Sequence, residues 1–235
     1  MYIFSYHIVT LPYISAIKLM LLPIKPKNIK GLIHAQTMSA MTLGSSVYAA
    51  SRFFDKNIIV FAQWDNELAL DNFLDQNPTG KKLKKGWYVK LDFIRQWGSF
   101  SGFKIPKVTQ MTHQNDNPVI AVTLARMKFF QIPRFIYWGL PVEKLVRDHP
   151  GTLLSLASIR HPNTISTFSI WKSEHEMTNM VHGHSAVPLP KRHSNAMKER
   201  ERKDFHFEFT TLRFIPISEH GQWKSKTNFI PTIEK

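Results

Sequence analysis

The chain opens with YIFSYHIV (2–9), a near-continuous apolar run that predicts a buried strand. The stretch over 12–22, where Lys18 interrupts apolar residues at helical spacing, predicts an amphipathic helix. Alternating apolar residues follow in GLIHAQTMSAMT (31–42), then a β-rich run from Asn57 that ends on Trp64. An acidic helix start follows at Asp65 and Glu67, and WYVKLDFIRQ (87–96) predicts another strand that closes on WGSF (97–100). The same series recurs later in the chain. PVIAVTLA (118–125) is apolar, 130–147 has helical periodicity, and GTLLSLASIR (151–160) alternates. A run from Asn163 ends on Trp171 before an acidic helix in which Ser173 and Glu176 match a capping box. FHFEFTTLRFIPI (205–217) then reads as a strand that leads to HGQW (220–223).

Each half thus runs strand, helix, strand, strand, helix, strand, the split βαβ order of ferredoxin-like folds. The prediction is an α+β chain of two fused ferredoxin-like units, 1–100 and 118–225. Their antiparallel sheets pack against one another as a pseudo-dimeric α+β barrel with helices outside. The polar, turn-rich stretch 101–117 is the expected linker and 226–235 a tail. The apolar N-terminus has no basic leader, and His7, Pro12 and Lys18 interrupt it, so it reads as neither a secretory signal nor a membrane span.

Hydrophobic residues make up 43% of the 235, enough for a large core, and charged residues only 20%, which argues against a disordered chain. The formal net charge is +14. Residues 1–117 hold 14 Lys/Arg against 7 Asp/Glu and residues 118–235 hold 17 against 10, so each half carries +7. A charge spread in this way suits anionic partners: nucleic acid, an anionic membrane surface or an anionic cofactor. The absence of cysteine removes disulfides, iron–sulfur clusters and thiolate ligation and leans towards a cytoplasmic setting, while the positive surface could hold the chain near an anionic membrane. Eleven histidines remain as metal ligands.

No phosphate-binding glycine loop or nucleophile elbow is present. TGKK (79–82) reads as a solvated loop, and HGH (182–184) as a loop that could chelate a metal weakly. His193 opens the helical run HSNAMKERER, with Ala196 and Met197 on its face and Lys191 and Arg192 beside it. It is either a structural histidine or a single neutral imidazole for haem iron. KKLKKGWY (81–88) and KRHSNAMKERERK (191–203) are basic runs with aromatic residues in the first and just after the second, as nucleic-acid surfaces have, but acids interleave in the second, so nucleic acid is the less favoured partner.

TFSIW (167–171), the helix that opens with His193, the aromatic residues Phe205 to Phe207, Arg213-Phe214 and the Gly221–Trp223 ending together resemble the spheroidene monooxygenase family of carotenoid biosynthesis. TLGSS, FAQW and WGSFSG in the first half are similar more weakly. The resemblance implies a haem b monooxygenase, with distant kinship to haem dehydratases and chlorite dismutase-like barrels. It implies His193 as the axial iron ligand, Arg213 as a contact to a haem propionate and Arg126 as a weaker candidate for a propionate or the distal pocket. For both arginines a salt bridge, as from Arg213 to Glu208, is the competing reading. The resemblance also implies an electron donor and a hydrophobic substrate such as a carotenoid, for which Phe129, Phe130, Trp138 and Phe168 are candidate lining, with core packing the equal alternative for each. HGHSAVPLPKR ahead of the key helix departs from the family pattern. The alternatives are haem-dependent dehydration of an oxime-like substrate and a cofactor-free ferredoxin-like module that binds nucleic acid.

Overall fold

The structure is a computed structural model and describes residues 2–44, 56–105 and 116–231. Eight strands form one closed antiparallel barrel in the order β1-β3-β2-β6-β7-β5-β8-β4. The first unit supplies β1 (Ile3–Thr10), α1 (Tyr13–Leu21), β2 (Leu32–Met41), β3 (Asn57–Trp64), α2 (Glu67–Gln76), α3 (Pro78–Lys84) and β4 (Trp87–Ser99). The second supplies β5 (Val119–Met127), α4 (Ile132–Asp148), β6 (Thr152–Arg160), β7 (Thr164–Trp171), α5 (Glu174–His182), α6 (Arg192–Arg202) and β8 (His206–His220). The spatial order 4-1-3-2 holds within each unit, and the units join through β2 with β6 and β4 with β8. The fold expected from the alternating pattern is therefore the fold observed. Part of the expected linker, 106–115, lies outside the described residues.

Alternation decides which side chains enter the barrel. Phe4, Tyr6 and Ile8 of β1, Ile120, Val122 and Leu124 of β5, and Leu212 and Phe214 of β8 all point inward and are fully buried. Phe214 of the second unit lies 5.0 Å from Phe4 and 5.9 Å from Phe61 of the first, ring centre to ring centre. Phe168 stacks on Tyr6 at 4.0 Å. The two units thus share one core.

Both mouths of the barrel are plugged. Phe103 packs on Phe4, Phe61 and His34 at one end, held by Gln63, whose side chain bonds both the amide and the carbonyl of Lys104. At the other end Phe229 packs edge-on to Trp87. There Glu219 accepts from the Trp87 indole at 2.7 Å and from the amides of Phe229 and Ile230. The predicted linker and tail therefore begin as parts of the core.

Two local expectations are corrected. TGKK is not a solvated loop: it lies in α3, started by Pro78 and capped by the Asn77 carboxamide on the amides of Thr79 and Gly80. Gly80 is required there, because a Cβ would sit 1.9 Å from the Phe73 carbonyl oxygen. Helix α1 is apolar on more than its inner side: Ala16 is buried while Ile14 and Leu21 are 83% and 75% exposed.

A shared core predicts shared unfolding. Phe214→Ala removes a fully buried ring that contacts strands of both units and should cost about 3–5 kcal/mol. Urea unfolding should remain one transition, coincident by tryptophan fluorescence and far-UV circular dichroism, with a lowered midpoint. Two separated transitions would show independent units.

Candidate functional site

With the barrel interior filled, binding must occur on its outer faces. Strand registers align the two units residue by residue: Ile3 faces Trp64 in the first as Val119 faces Trp171 in the second. On this alignment the central outward position of the first unit is His7, between Val60 and Tyr88. It is Thr123 in the second, between Thr167 and Thr211. His7 is fully buried and stacks on Tyr88 at 5.1 Å, and Tyr88 stacks on His220 at 4.6 Å. Large rings and Val60 fill the space under the first unit's helices, and one continuous apolar cluster results.

The second unit is built differently. Its outward row through Thr123 reads Thr211, Thr123, Thr167, Ala157 from β8 to β6, and the adjacent row reads Arg213, Ala121, Ser169, Ser155. Except at Arg213, every side chain in these two rows is small. Ala121, Thr123, Thr167 and Thr211 stay partly exposed although helices lie over this face, whereas β1 is buried along its whole length but for Thr10. The apolar packing under the helices is correspondingly split. One cluster gathers Val119, Trp171, Leu145 and Met177, and the other gathers Met127, Phe205, Phe135 and Phe209. The floor of small side chains between them, called the slot below, is four strands wide, roughly 14 Å at about 4.8 Å per strand, and bulky rows roughly 20 Å apart bound it along the strands.

Helix α6 runs from one cluster to the other. Its start is tied to the end of α5 by His193, whose Nδ1 lies 3.1 Å from the Val181 carbonyl oxygen. Its end is tied to β8 by Arg200, stacked 3.8 Å over the Phe209 ring. Arg134 of α4 reinforces that end through Glu199 at 2.7 Å. Because a carbonyl can only accept, Nδ1 carries the proton and Nε2 is left with its lone pair. Nε2 has no protein partner among the described residues. Burial lowers the His193 pKa, the Val181 bond opposes this, and neighbouring His182 adds to it. The position inside the first turn of α6 also disfavours a positive charge. His193 is thus a neutral, oriented imidazole.

The two arginines read from the sequence are separated. Arg213 faces the helices, and its guanidinium pairs with Glu174 in the first turn of α5 rather than with Glu208. Burial pulls the Arg213 pKa down and Glu174 counters it. The first unit has the same tie: Lys90, aligned with Arg213, bonds Glu67 at 2.8 Å and Asp71 at 2.7 Å, and Glu67 follows Trp64 at the interval at which Glu174 follows Trp171. Arg126 is on the other side of the sheet. It shares the inward parity of Val122 and Leu124, pairs with Glu208 at 3.0 Å and lies over the Phe100 ring at the barrel mouth. The structure does not bring it together with His193. Of the candidate lining residues, Phe168 is in the barrel core, Phe129 and Phe130 are exposed, and Trp138 packs in the cluster around Phe205. His182 and His184 flank Gly183, whose left-handed φ of 78° ends α5. Among the described residues no three His, Asp or Glu side chains gather as a metal cluster.

One residue of the slot's rim is not visible from sequence periodicity. A bulge between Phe93 and Arg95 flips the parity of β4 and turns Arg95 and Trp97 to the outer face, beside Arg213 and Thr211. Both guanidiniums lie on the Trp97 ring, at 4.4 Å and 4.6 Å. Arg95 is exposed and has no carboxylate partner among the described residues. Gly98, at φ +71°, lets the strand pass Phe209, where a Cβ would meet the carbonyl oxygen at 2.2 Å.

Comparison with known proteins adds the fold's relatives. No family model and no curated protein matches the chain. Among solved structures, an aldoxime dehydratase in complex with butyraldoxime aligns with 92% of this chain and 79% of its own at 9% identity, TM-score 0.51. A candidate monooxygenase from Fusobacterium nucleatum aligns over 94% of both chains at 14% identity, TM-score 0.39. A haem-degrading enzyme from Listeria monocytogenes aligns over 88% of this chain and 98% of its own at 12% identity, TM-score 0.28. The first of these shows the shared two-unit barrel fold. No helix among the described residues is long and apolar enough to cross a membrane.

Two measurements check this electrostatic picture. Removing one side of the Arg213–Glu174 tie leaves a largely buried charge, so Arg213→Met should cost about 2 kcal/mol in urea unfolding. Adding Glu174→Gln to that variant should restore part of it; strict additivity would sink the reading. Burial also holds the pKa of His7 down at about 3 and that of His34 at about 4, against an ordinary 6.5. The unfolded chain therefore takes up protons first. Stability should be full above pH 6.5 and should fall with acidification towards pH 3. His7→Phe, which keeps a ring on Tyr88, should flatten that decline.

Proposed function

We propose that the chain is a haem-dependent monooxygenase that acts on a hydrophobic substrate. The observation that carries this reading is the slot in the second unit: a floor of small side chains bounded by two apolar clusters, with one neutral imidazole on the helix that bridges them. The residues fit a planar macrocycle on three grounds. The floor has no large side chain where the first unit has His7, Tyr88 and Val60. His193 has its Nδ1 proton committed to a backbone carbonyl, the arrangement that orients an axial histidine and makes it more basic. Arg95 at the rim offers an unpaired guanidinium to a propionate, a role for which Arg213, already held by Glu174, is less free.

In this reading His193 would hold the iron, and the haem would supply the oxygen chemistry. The protein's own part is to bind, orient and exclude water. The apolar clusters around Trp171 and Phe205 shield the slot's two ends. Thr123 and Thr211, whose hydroxyl oxygens lie 3.2 Å apart, can orient a polar group over the floor. A long apolar substrate, a carotenoid among them, suits such surroundings.

The second reading, dehydration of an oxime-like substrate, uses the same slot and is kept because of the aldoxime dehydratase neighbour. Dehydration requires a proton delivered to the departing hydroxyl. The two floor rows hold only Ala, Ser and Thr besides Arg213, and none of these is an acid poised to deliver it. This favours the oxygenase.

Titration with haemin should give an intense Soret band at one haem per chain. His193→Ala should shift and weaken it, and Thr167→Phe, which fills the floor, should abolish binding while the fold survives. Arg95→Gln should loosen haem about tenfold by removal of a charged hydrogen bond, whereas Arg126→Gln should leave it unchanged. A band indifferent to both His193→Ala and Thr167→Phe would refute the site. Oxygen uptake with a polyene substrate separates the oxygenase from anaerobic turnover of an aldoxime.

A further inference from the structure

Helix α1 presents apolar side chains to solvent, and no described residue covers them. Tyr13, Ile14, Leu21 and Leu22 are 64%, 83%, 75% and 67% exposed, and Ile17 is 42% exposed. At helical spacing, Ile14, Ile17 and Leu21 form one stripe with Tyr13 and Leu22 on its flanks. The opposite side of the helix, through Ala16, Leu19 and Met20, already packs on the sheet. A surface helix that is apolar on both sides has an unmet partner.

The surroundings state the partner's charge. The sequence has no Asp or Glu before Asp55, while Lys18, Lys25, Lys27 and Lys30 lie on α1 or just after it. Where β1 delivers the chain to α1, Thr10 lines a hollow of about 470 Å³ together with Lys56, Lys85, Lys224 and the Trp223 indole. The Leu11 amide bonds the Lys56 carbonyl at 3.1 Å, which fixes that lysine beside the start of the helix. These three lysines have no acidic partner among the described residues. An apolar stripe next to a cationic, tryptophan-edged hollow matches the boundary of an anionic bilayer, with acyl chains under the stripe and phosphates in the hollow.

We propose that α1 and the Lys56–Lys85–Lys224 hollow form a docking surface for anionic phospholipid membranes, the chain lying on the bilayer by this one face. The surface is independent of the haem slot, so either proposal can fail without the other.

The test is cosedimentation of the full chain with vesicles of phosphatidylcholine alone or with about one-third phosphatidylserine. Binding should require the anionic lipid and weaken in high salt. Ile14→Asp with Leu21→Asp should lower partitioning about tenfold or more. Lys85→Gln should lower it about fivefold, as expected for one lysine at an anionic surface. Both variants alter exposed side chains, and unchanged circular dichroism will confirm their folds. Equal binding to both vesicle types, no binding to either, or binding indifferent to the double variant would overturn the proposal. So would a dimer, measured by analytical ultracentrifugation, that the double variant dissolves while vesicles are ignored, since the stripe would then be a subunit interface.

Discussion

Closure of the barrel is the constraint from which the rest follows. Eight strands joined edge to edge leave no free strand, and the inner faces of both sheets meet in one core that Phe4, Phe61, Phe168 and Phe214 fill to complete burial. A core packed in this way has no room for a ligand. Plugs at both mouths, Phe103 at one and Phe229 at the other, remove the remaining access. Room for a ligand is thereby left on the outer faces, where helices rather than strands set the spacing.

Duplication then supplies an internal control. The two outer faces share their register, their tryptophan before the second helix and their tie from a sheet cation to a carboxylate on that helix. Features common to both are those the fold needs, and this places Lys90 with Glu67 and Arg213 with Glu174 among the supports of the architecture. Features that differ carry information about function. A stack of His7 on Tyr88, continued onto His220 of β8, stands on the first unit's face where the other has Thr123 and Thr211. The first unit spends its outer face on packing, and the second keeps its floor low.

This control also explains which parts of the molecule the sequence made legible. Strand order and the repeat follow from local periodicity and from punctuation at Trp64, Trp171, Gly98 and Gly221, and all of these are short-range signals. His193 could be singled out because a lone histidine on the apolar side of a charged helix is a local oddity. Its bond to Val181 depends on how α5 turns at Gly183 and could not be read. Arg126 illustrates the limit: it is one residue from Ala125 in sequence and on the opposite side of the sheet in space, so a linear motif could not place it. Arg95 is the converse case, brought to the rim by a bulge that shifts parity by one residue, a change without a residue signature. In TGKK the loop tendency of Gly80 is outweighed by Asn77 and Pro78, which begin a helix.

The low floor has an energetic meaning. A fully buried Val or aromatic ring contributes about 1.5–3 kcal/mol over an exposed one, so three threonines in place of His7, Tyr88 and Val60 forgo several kcal/mol of packing in the second unit. Ala121 and Thr123 are half-covered for the same reason, while the equivalent Ser5 and His7 are buried. A fold tolerates such a deficit when something else makes it up. A flat apolar group seated on the floor would restore the missing contacts, and its binding free energy would add to the stability of the barrel as a whole because the two units share one core. The neutral His193 fits this economy of charge: burial lowers its pKa, and a protonated imidazole on this helix would add a desolvation penalty that the neutral ring avoids.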